Sequence, residues 1–148
     1  MTISDNDLRA ELAGRELPGG SIVIEPHESV IGDRALRAKD APSDQAHPLW
    51  YVIASLRGMG ISVDDLCRLA HKSEGDTLLF GSCEVVQDVA LTPGAEYVTT
   101  ARIGEVGSRT TRDGSRLDSV EVVVELHRDG SRAGAVTSVY LFKRGPRL

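Results

Sequence analysis

His47–Gly60, HPLWYVIASLRGMG, is the stretch on which the fold turns. Leu49, Trp50, Ile53, Ala54 and Met59 recur in it at helical spacing, immediately after Pro48, and this predicts the best helix of the chain. Gly58 and Gly60 interrupt the helix. Ser62 then caps a second helical stretch, VDDLCRLAHK, whose first turn carries Asp64 and Asp65 where acids suit the helix dipole. Asp65 stands three residues after Ser62, the spacing of a capping box with the shorter acid in place of Glu or Gln.

Downstream of this helical middle the chain changes period. Thr77 to Gln87, Glu96 to Val106, Arg116 to His127 and Ala133 to Arg144 all read as strands. Pro93-Gly94, Asp113-Gly114 and Asp129-Gly130 separate them, and such dipeptides suit tight reversals, so the strands connect as antiparallel hairpins. In the third run Val120, Val122, Val124 and Leu126 share one face while Glu121 and Glu125 share the other, the pattern of a sheet wet on one side. Upstream, Pro18-Gly19-Gly20 reads as a breaker before a first strand at Ser21 to Glu25. A short helix is expected over Glu28 to Lys39, then a loop, DAPSDQ, while Met1 to Arg15 reads as a loose arm or a short helix.

Strand, helices, then long antiparallel strands is an α+β order in which a curved sheet must cover the helix between Leu49 and His71. Two architectures satisfy it: a hotdog, where an antiparallel sheet wraps a central helix, and a cystatin-like cone, which opens with helices. The strand at Ser21 to Glu25 favours the hotdog. A chain of 148 residues with 41% hydrophobic content makes one domain, 1–148. A formal charge of -5, with Lys and Arg scattered among acids, leaves no footprint for a phosphate backbone, so nucleic acid is not an expected partner. No apolar run is long enough for a membrane span, and the polar start MTISDNDLRAEL is unlike a secretory signal, so a cytoplasmic protein without membrane contact is expected. Cys67 and Cys83 fit neither a zinc nor a redox spacing and read as buried free thiols.

Specific segments add a family resemblance. AGRELPGGSIVIEPHESV resembles the opening of MaoC-like hydratases and dehydratases, and HPLWYVIASLRGMG the start of their central hotdog helix. LLFGSCEVVQDVALTPGAEYVTTARIGEVGSR is similar to their second strand, turn and third strand, with Leu91, Pro93 and Gly94 at the turn. LDSVEVVVELHRDGSRAGAVTSVYLFKR resembles the closing hairpin. The resemblance runs from about Ala13 to Arg144 and implies a hotdog acting on an acyl thioester of coenzyme A or a carrier protein, with no metal or other cofactor. It further implies a homodimer, or a hetero-oligomer with another hotdog subunit.

Catalytic members of that group pair an Asp with a His in a Gly-Asp-x-Asn-Pro-x-His loop, and the two activate water for addition to a 2-enoyl thioester or run the reverse elimination. The corresponding candidates here are His47 with Asp44 or Asp40, at a different spacing from the family loop: three and seven residues before the His. Backbone amides opening the helix at Leu49 and Trp50 would serve the thioester oxygen. An alternative alignment sets His47-Pro48 at the start of the buried helix, past the catalytic loop, and resembles the substrate-cradling half of double-hotdog hydratases. A non-catalytic hotdog that binds a thioester or only dimerises follows from that alignment. Thioester hydrolysis through Asp64 or Asp65 is a further alternative, set against a plain helix-capping role for both acids. A small-ligand isomerase or cyclase belongs to the cystatin-like architecture.

Trp50 and Tyr51 are candidates to line an acyl tunnel, against ordinary core packing. Arg109, with Arg112 and Arg116, forms a basic cluster at a hairpin where a coenzyme A phosphate would fit, against plain solvated charge. His27, His71 and His127 lack metal-ligand spacing and read as solvated.

Overall fold

The computed structural model describes residues 2–38 and 44–146. Its elements follow in the order α1 (Asp5–Leu12), β1 (Glu16–Val23), α2 (Pro26–Ala35), α3 (Trp50–Gly58), α4 (Val63–Leu69), β2 (Thr77–Gln87), β3 (Glu96–Thr110), β4 (Arg116–Arg128) and β5 (Ser131–Lys143). The strands form one antiparallel sheet in the order β1-β3-β4-β5-β2. Helix α3 lies against it and touches all five strands, which is the hotdog arrangement, not the cone.

The local reasons are those read from the sequence, with three departures. Residues 1–15 hold the short helix, one of the two readings of this segment, and not the loose arm. Ser4 caps α1 through the Asp7 amide, and Leu8 and Leu12, one helical turn apart, are fully buried beside β3. The first strand starts at Glu16 and ends at Val23, so Pro18-Gly19-Gly20 lies inside it. The pairing with β3 shifts register between Leu17 and Gly20, a bulge that Gly19 permits with φ of +63°. There the Gly19 amide donates to the carbonyl of Met59 at 3.2 Å, tying the end of α3 to the edge strand. Helix α2 begins earlier than expected, because Pro26 occupies its first turn and Glu25 and Glu28 cap each other reciprocally. It ends before Leu36, and Arg37 takes a left-handed φ of 54°. Most of the expected DAPSDQ loop lies outside the described residues. The buried-thiol expectation also fails: Cys83 is exposed on β2, and Cys67 is partly buried.

The capping box at α4 is present in full, with Asp65 N–H donating to Ser62 Oγ and Ser62 N–H to Asp65 Oδ2. Along β4, Val120, Val122, Val124 and Leu126 are buried and the intervening residues are not, as the alternation requires. Asp129 and Gly130 both have positive φ in the β4–β5 turn.

At one end of the sheet a buried charge cluster replaces apolar packing. Arg144, just past β5, donates to Asp118 at 2.8 Å and Asp76 at 3.1 Å, and also to the carbonyls of Ala70 and His71. Arg116 binds Asp118 through two nitrogens. Burial would raise the Asp118 carboxyl, but Arg116, Arg144 and the Ser108 hydroxyl outweigh it and hold the pKa below the ordinary value. Asp76 behaves alike: burial raises it, while the amides of Ser73 and Gly145 and the Arg144 guanidinium bring it below. Depressed carboxyl pKa values stabilise the fold above the unfolded-state value, and that contribution disappears as pH falls through the folded one. Wild type is therefore expected to lose stability progressively below about pH 4. Arg144→Gln, which leaves two buried carboxylates without their shared guanidinium, should cost about 3–5 kcal/mol at pH 7 by urea denaturation. A loss under about 1 kcal/mol would mean the cluster is not a stabilising tie.

Candidate functional site

The start of α3 is built by a short extended segment that meets a proline. Ala46 N–H donates to the carbonyl of Leu91 at 2.7 Å and fixes the approach to the helix. Beyond it the chain turns tightly: Trp50 N–H donates to His47 O at 2.9 Å, Tyr51 N–H to Pro48 O at 3.0 Å, and Val52 N–H to Leu49 O at 3.0 Å. The Leu49 amide donates to Nδ1 of the His47 ring at 3.1 Å. The amides of Leu49 and Trp50, expected as oxyanion donors, are thus both occupied. The cause is the tight first turn after Pro48 together with the capping imidazole.

Tyr51 is fully buried. Its hydroxyl lies 2.6 Å from the carbonyl of Val89 and 2.7 Å from that of Ala133, one proton shared between two acceptors. Burial, aided by Tyr97 and Asp88, pushes its pKa up to about 12, so it stays a donor. Room for the ring comes from Gly134, where a Cβ would stand 2.5 Å from Tyr51 Cε1. Trp50, 6% exposed, packs its indole edge on Gly32 of α2, and the Arg57 guanidinium sits 5.5 Å above its ring. Arg57 in turn forms a two-point pair with Glu28 of α2. Both aromatics therefore seat the helix, one on the sheet and one on α2.

His47 is partly buried and Asp44 exposed, on the same short segment, whereas Asp40 lies outside the described residues. The histidine ion pairs among the described residues are His71 with Glu11 at 2.7 Å and His127 with Glu125 at 3.8 Å, and neither involves His47. His71 is thus tied to α1 and not merely solvated. Arg109 is not brought to this site. It pairs with Leu117 on β4, whereas α3 begins beside Ala133 at the opposite end, nine β4 residues away from Leu117, near Leu126. At about 3.3 Å per residue that is roughly 30 Å. Arg112 is exposed near it, and Arg116 is bound to Asp118. Asp65 is likewise committed, to Ser62 and, at 2.8 Å, to Arg68.

One residue at this end escaped the sequence. Oδ1 of Asp33 on α2 is buried without a hydrogen-bond partner among the described residues. Its position one turn after buried Ser29, and next to the Gly32 that meets Trp50, places it on the face of α2 turned toward α3. The Ser29/Asp33 spacing was the available signal. No set of three or more His, Cys, Asp or Glu among the described residues is arranged to hold a metal ion, and no helix among them is long and apolar enough to cross a membrane.

No family model and no curated protein matches the sequence. Solved structures do. The ChsH1-ChsH2 complex of Mycobacterium tuberculosis superposes at a TM-score of 0.65 with 13% identity, over 97% of this chain and 91% of that one. The HadBC (3R-hydroxyacyl-ACP dehydratase) complex of the same organism gives 0.62 and 13%, over 90% and 98%. A point mutant of the fluoroacetyl-CoA-specific thioesterase FlK, in complex with fluoroacetate and CoA, gives 0.61 and 19%, over 89% and 94%. At these identities the likeness establishes a shared hotdog fold.

If Tyr51 seats α3 as described, Tyr51→Phe leaves two buried carbonyls short of a donor and should cost about 1–3 kcal/mol in urea denaturation, with the fold retained. A change within about 0.5 kcal/mol would show that the hydroxyl carries no such role.

Proposed function

We propose that the chain is a thioester-binding hotdog of the hydratase and dehydratase kind, which completes its site by pairing with a second hotdog, either its own copy or another subunit. One juxtaposition carries this reading. The partly buried imidazole of His47 sits where α3 begins, beside Ala133, at the end of the sheet toward which the outer strand β2 runs with Val85, Val86 and Gln87. Strand β2 is at the sheet edge, and Leu79, Phe80, Val85 and Val86 on it are 44%, 53%, 37% and 42% exposed. Val89, just beyond it, is 55% exposed and gives its carbonyl to Tyr51. Leu49, close to His47, is 43% exposed. A long apolar edge is a hazard unless something covers it. A second sheet seated there would close a cleft over His47 and Leu49, apolar enough for an acyl chain and carrying one polar ring.

Support for the thioester comes from the resemblance of the central helix and closing hairpin to MaoC-like proteins, and from a dehydratase complex among the structural neighbours. A thioesterase is also among them; of the two carboxylates on which hydrolysis would draw, Asp65 is held by Ser62 and Arg68, and Asp64 is exposed in the first turn of α4. The substrate-cradling version of the proposal is the stronger one, because the Nδ1 lone pair of His47 is already engaged by a backbone amide. Asp44 and Asp40 keep their place as the carboxylates nearest His47 in sequence, and Arg109 serves no site at this end of its own chain.

Trp50 is the sole tryptophan and marks the start of α3, so its fluorescence reports binding directly. Titration with crotonyl-coenzyme A should change that signal saturably, in a protein that elutes as a dimer, and Val86→Lys on β2 should release monomers and abolish the change. A protein that stays monomeric and gives no response to acyl-coenzyme A, or to an acyl carrier protein thioester, would sink the proposal. Hydration of crotonyl-coenzyme A by the purified homodimer, lost in His47→Ala, would favour the catalytic version over the cradling one.

A further inference from the structure

Resting on the thioester-binding reading, we infer that His47 acts on its ligand as a hydrogen-bond donor through Nε2–H, holding the thioester carbonyl oxygen, and not as the base that takes a proton from water. The assignment starts from the polar contact that the ring makes among the described residues. A backbone amide can only donate, so the 3.1 Å contact from Leu49 N–H to Nδ1 makes Nδ1 the acceptor. In a neutral imidazole the proton then resides on Nε2. The nitrogen left for a ligand is a donor, and the lone pair a base would need is spent on the backbone.

The surrounding turn points the same way. A thioester oxygen bound at a helix start ordinarily draws on free amides, but here those of Leu49, Trp50, Tyr51 and Val52 are all consumed, the first by the ring and the rest by the turn after Pro48. The imidazole therefore passes the donor role outward: it takes the Leu49 N–H on one nitrogen and offers its own N–H from the other. The rigid attachment matters, since Pro48, the Ala46 tie to Leu91 and the Tyr51 seat fix the segment that carries the ring. A preorganised donor aimed at an oxygen that gains negative charge stabilises an enolate without first having to reorient.

The test compares His47→Gln with His47→Ala, using the full-length protein in its natural assembly. Glutamine can set an amide N–H near the position of Nε2 but cannot act as a base. Binding of butyryl-coenzyme A, followed by Trp50 fluorescence, should be within about threefold of wild type in His47→Gln and about five- to tenfold weaker in His47→Ala. Nitrogen-15 spectra of the ring, assigned by the signal missing from His47→Gln, should show Nδ1 unprotonated and Nε2 protonated in the neutral form. Equal losses in the two variants, or a protonated Nδ1, would overturn the donor assignment while leaving thioester binding intact. Absence of binding in wild type, to the coenzyme A thioester and to a carrier-protein thioester alike, would overturn both readings together.

Discussion

The seating of α3 on the sheet is the constraint from which the remaining geometry follows. A helix of nine residues has few side chains with which to hold its direction, and its ends carry unpaired backbone groups that burial makes costly. Here both ends are tied by hydrogen bonds reaching other elements. At the start, the Tyr51 hydroxyl reaches the carbonyls after β2 and at the head of β5. At the finish, Thr99 Oγ1 donates to Gly58 O at 2.6 Å, and Gly19 N–H reaches Met59 O. These ties span the sheet from the β2 side to the β1 side, so the helix axis is determined by polar contacts while its burial supplies the driving force. Alternative apolar packings of so short a helix would be close in energy, and the polar ties choose among them.

The two ends of the sheet divide the work. The end near Arg116 and Arg144 is closed by a charge cluster in which Asp76 and Asp118 are both paired, and that cluster holds the loop between α4 and β2 against the residues just past β5. Toward the other end, among the described residues, His47 is partly buried and Leu49, Val89 and the Val85–Val86 part of β2 are exposed. A rigid far end gives β2 a fixed course from Asp76 onward. An edge strand held in this way presents a preformed surface, so association with a second sheet would lose little additional chain entropy.

How far the sequence could be read follows from how local each signal is. The alternation in β4, the Asp-Gly turns and the Ser62 cap are set by residues within a few positions of one another, and each formed as expected. The bulge at Pro18-Gly19-Gly20 was misread as a break, because what stabilises it is the carbonyl of Met59, far along the chain. Leu8 and Leu12 carried a helical spacing on an otherwise polar arm, too short a stretch to announce burial. At the site, His47 was legible through Pro48 and the helix after it, but the ring's attachment to Leu49 was not, since two-residue side-chain turns leave no composition mark. Arg109 reads, with Arg112 and Arg116, as a basic hairpin cluster suited to a coenzyme A phosphate, with no distance to His47 attached. Only strand register shows that β3 carries it to the other end.

On the proposed reading, a hotdog protomer with the His47 ring beside the exposed end of its edge strand is half of a site. The polar side chains that define a reaction can come from either half, which is why dehydratases and a thioesterase share this fold among the structural neighbours. In that reading the contribution from the α3 end is an imidazole whose Nδ1 is occupied, in a setting where the aromatic residues seat the helix, Glu28 and Asp65 pair with arginines, and Asp33 keeps a buried oxygen without a partner among the described residues. Such a half would supply shape, an apolar wall and one directed N–H. Proton abstraction would then fall to a carboxylate brought in from a facing protomer. The strongest reason to expect that division of labour is energetic: a buried acid kept beside His47 in the lone protomer would have to be desolvated without a partner, whereas one delivered at assembly is desolvated only when the ligand cleft itself forms.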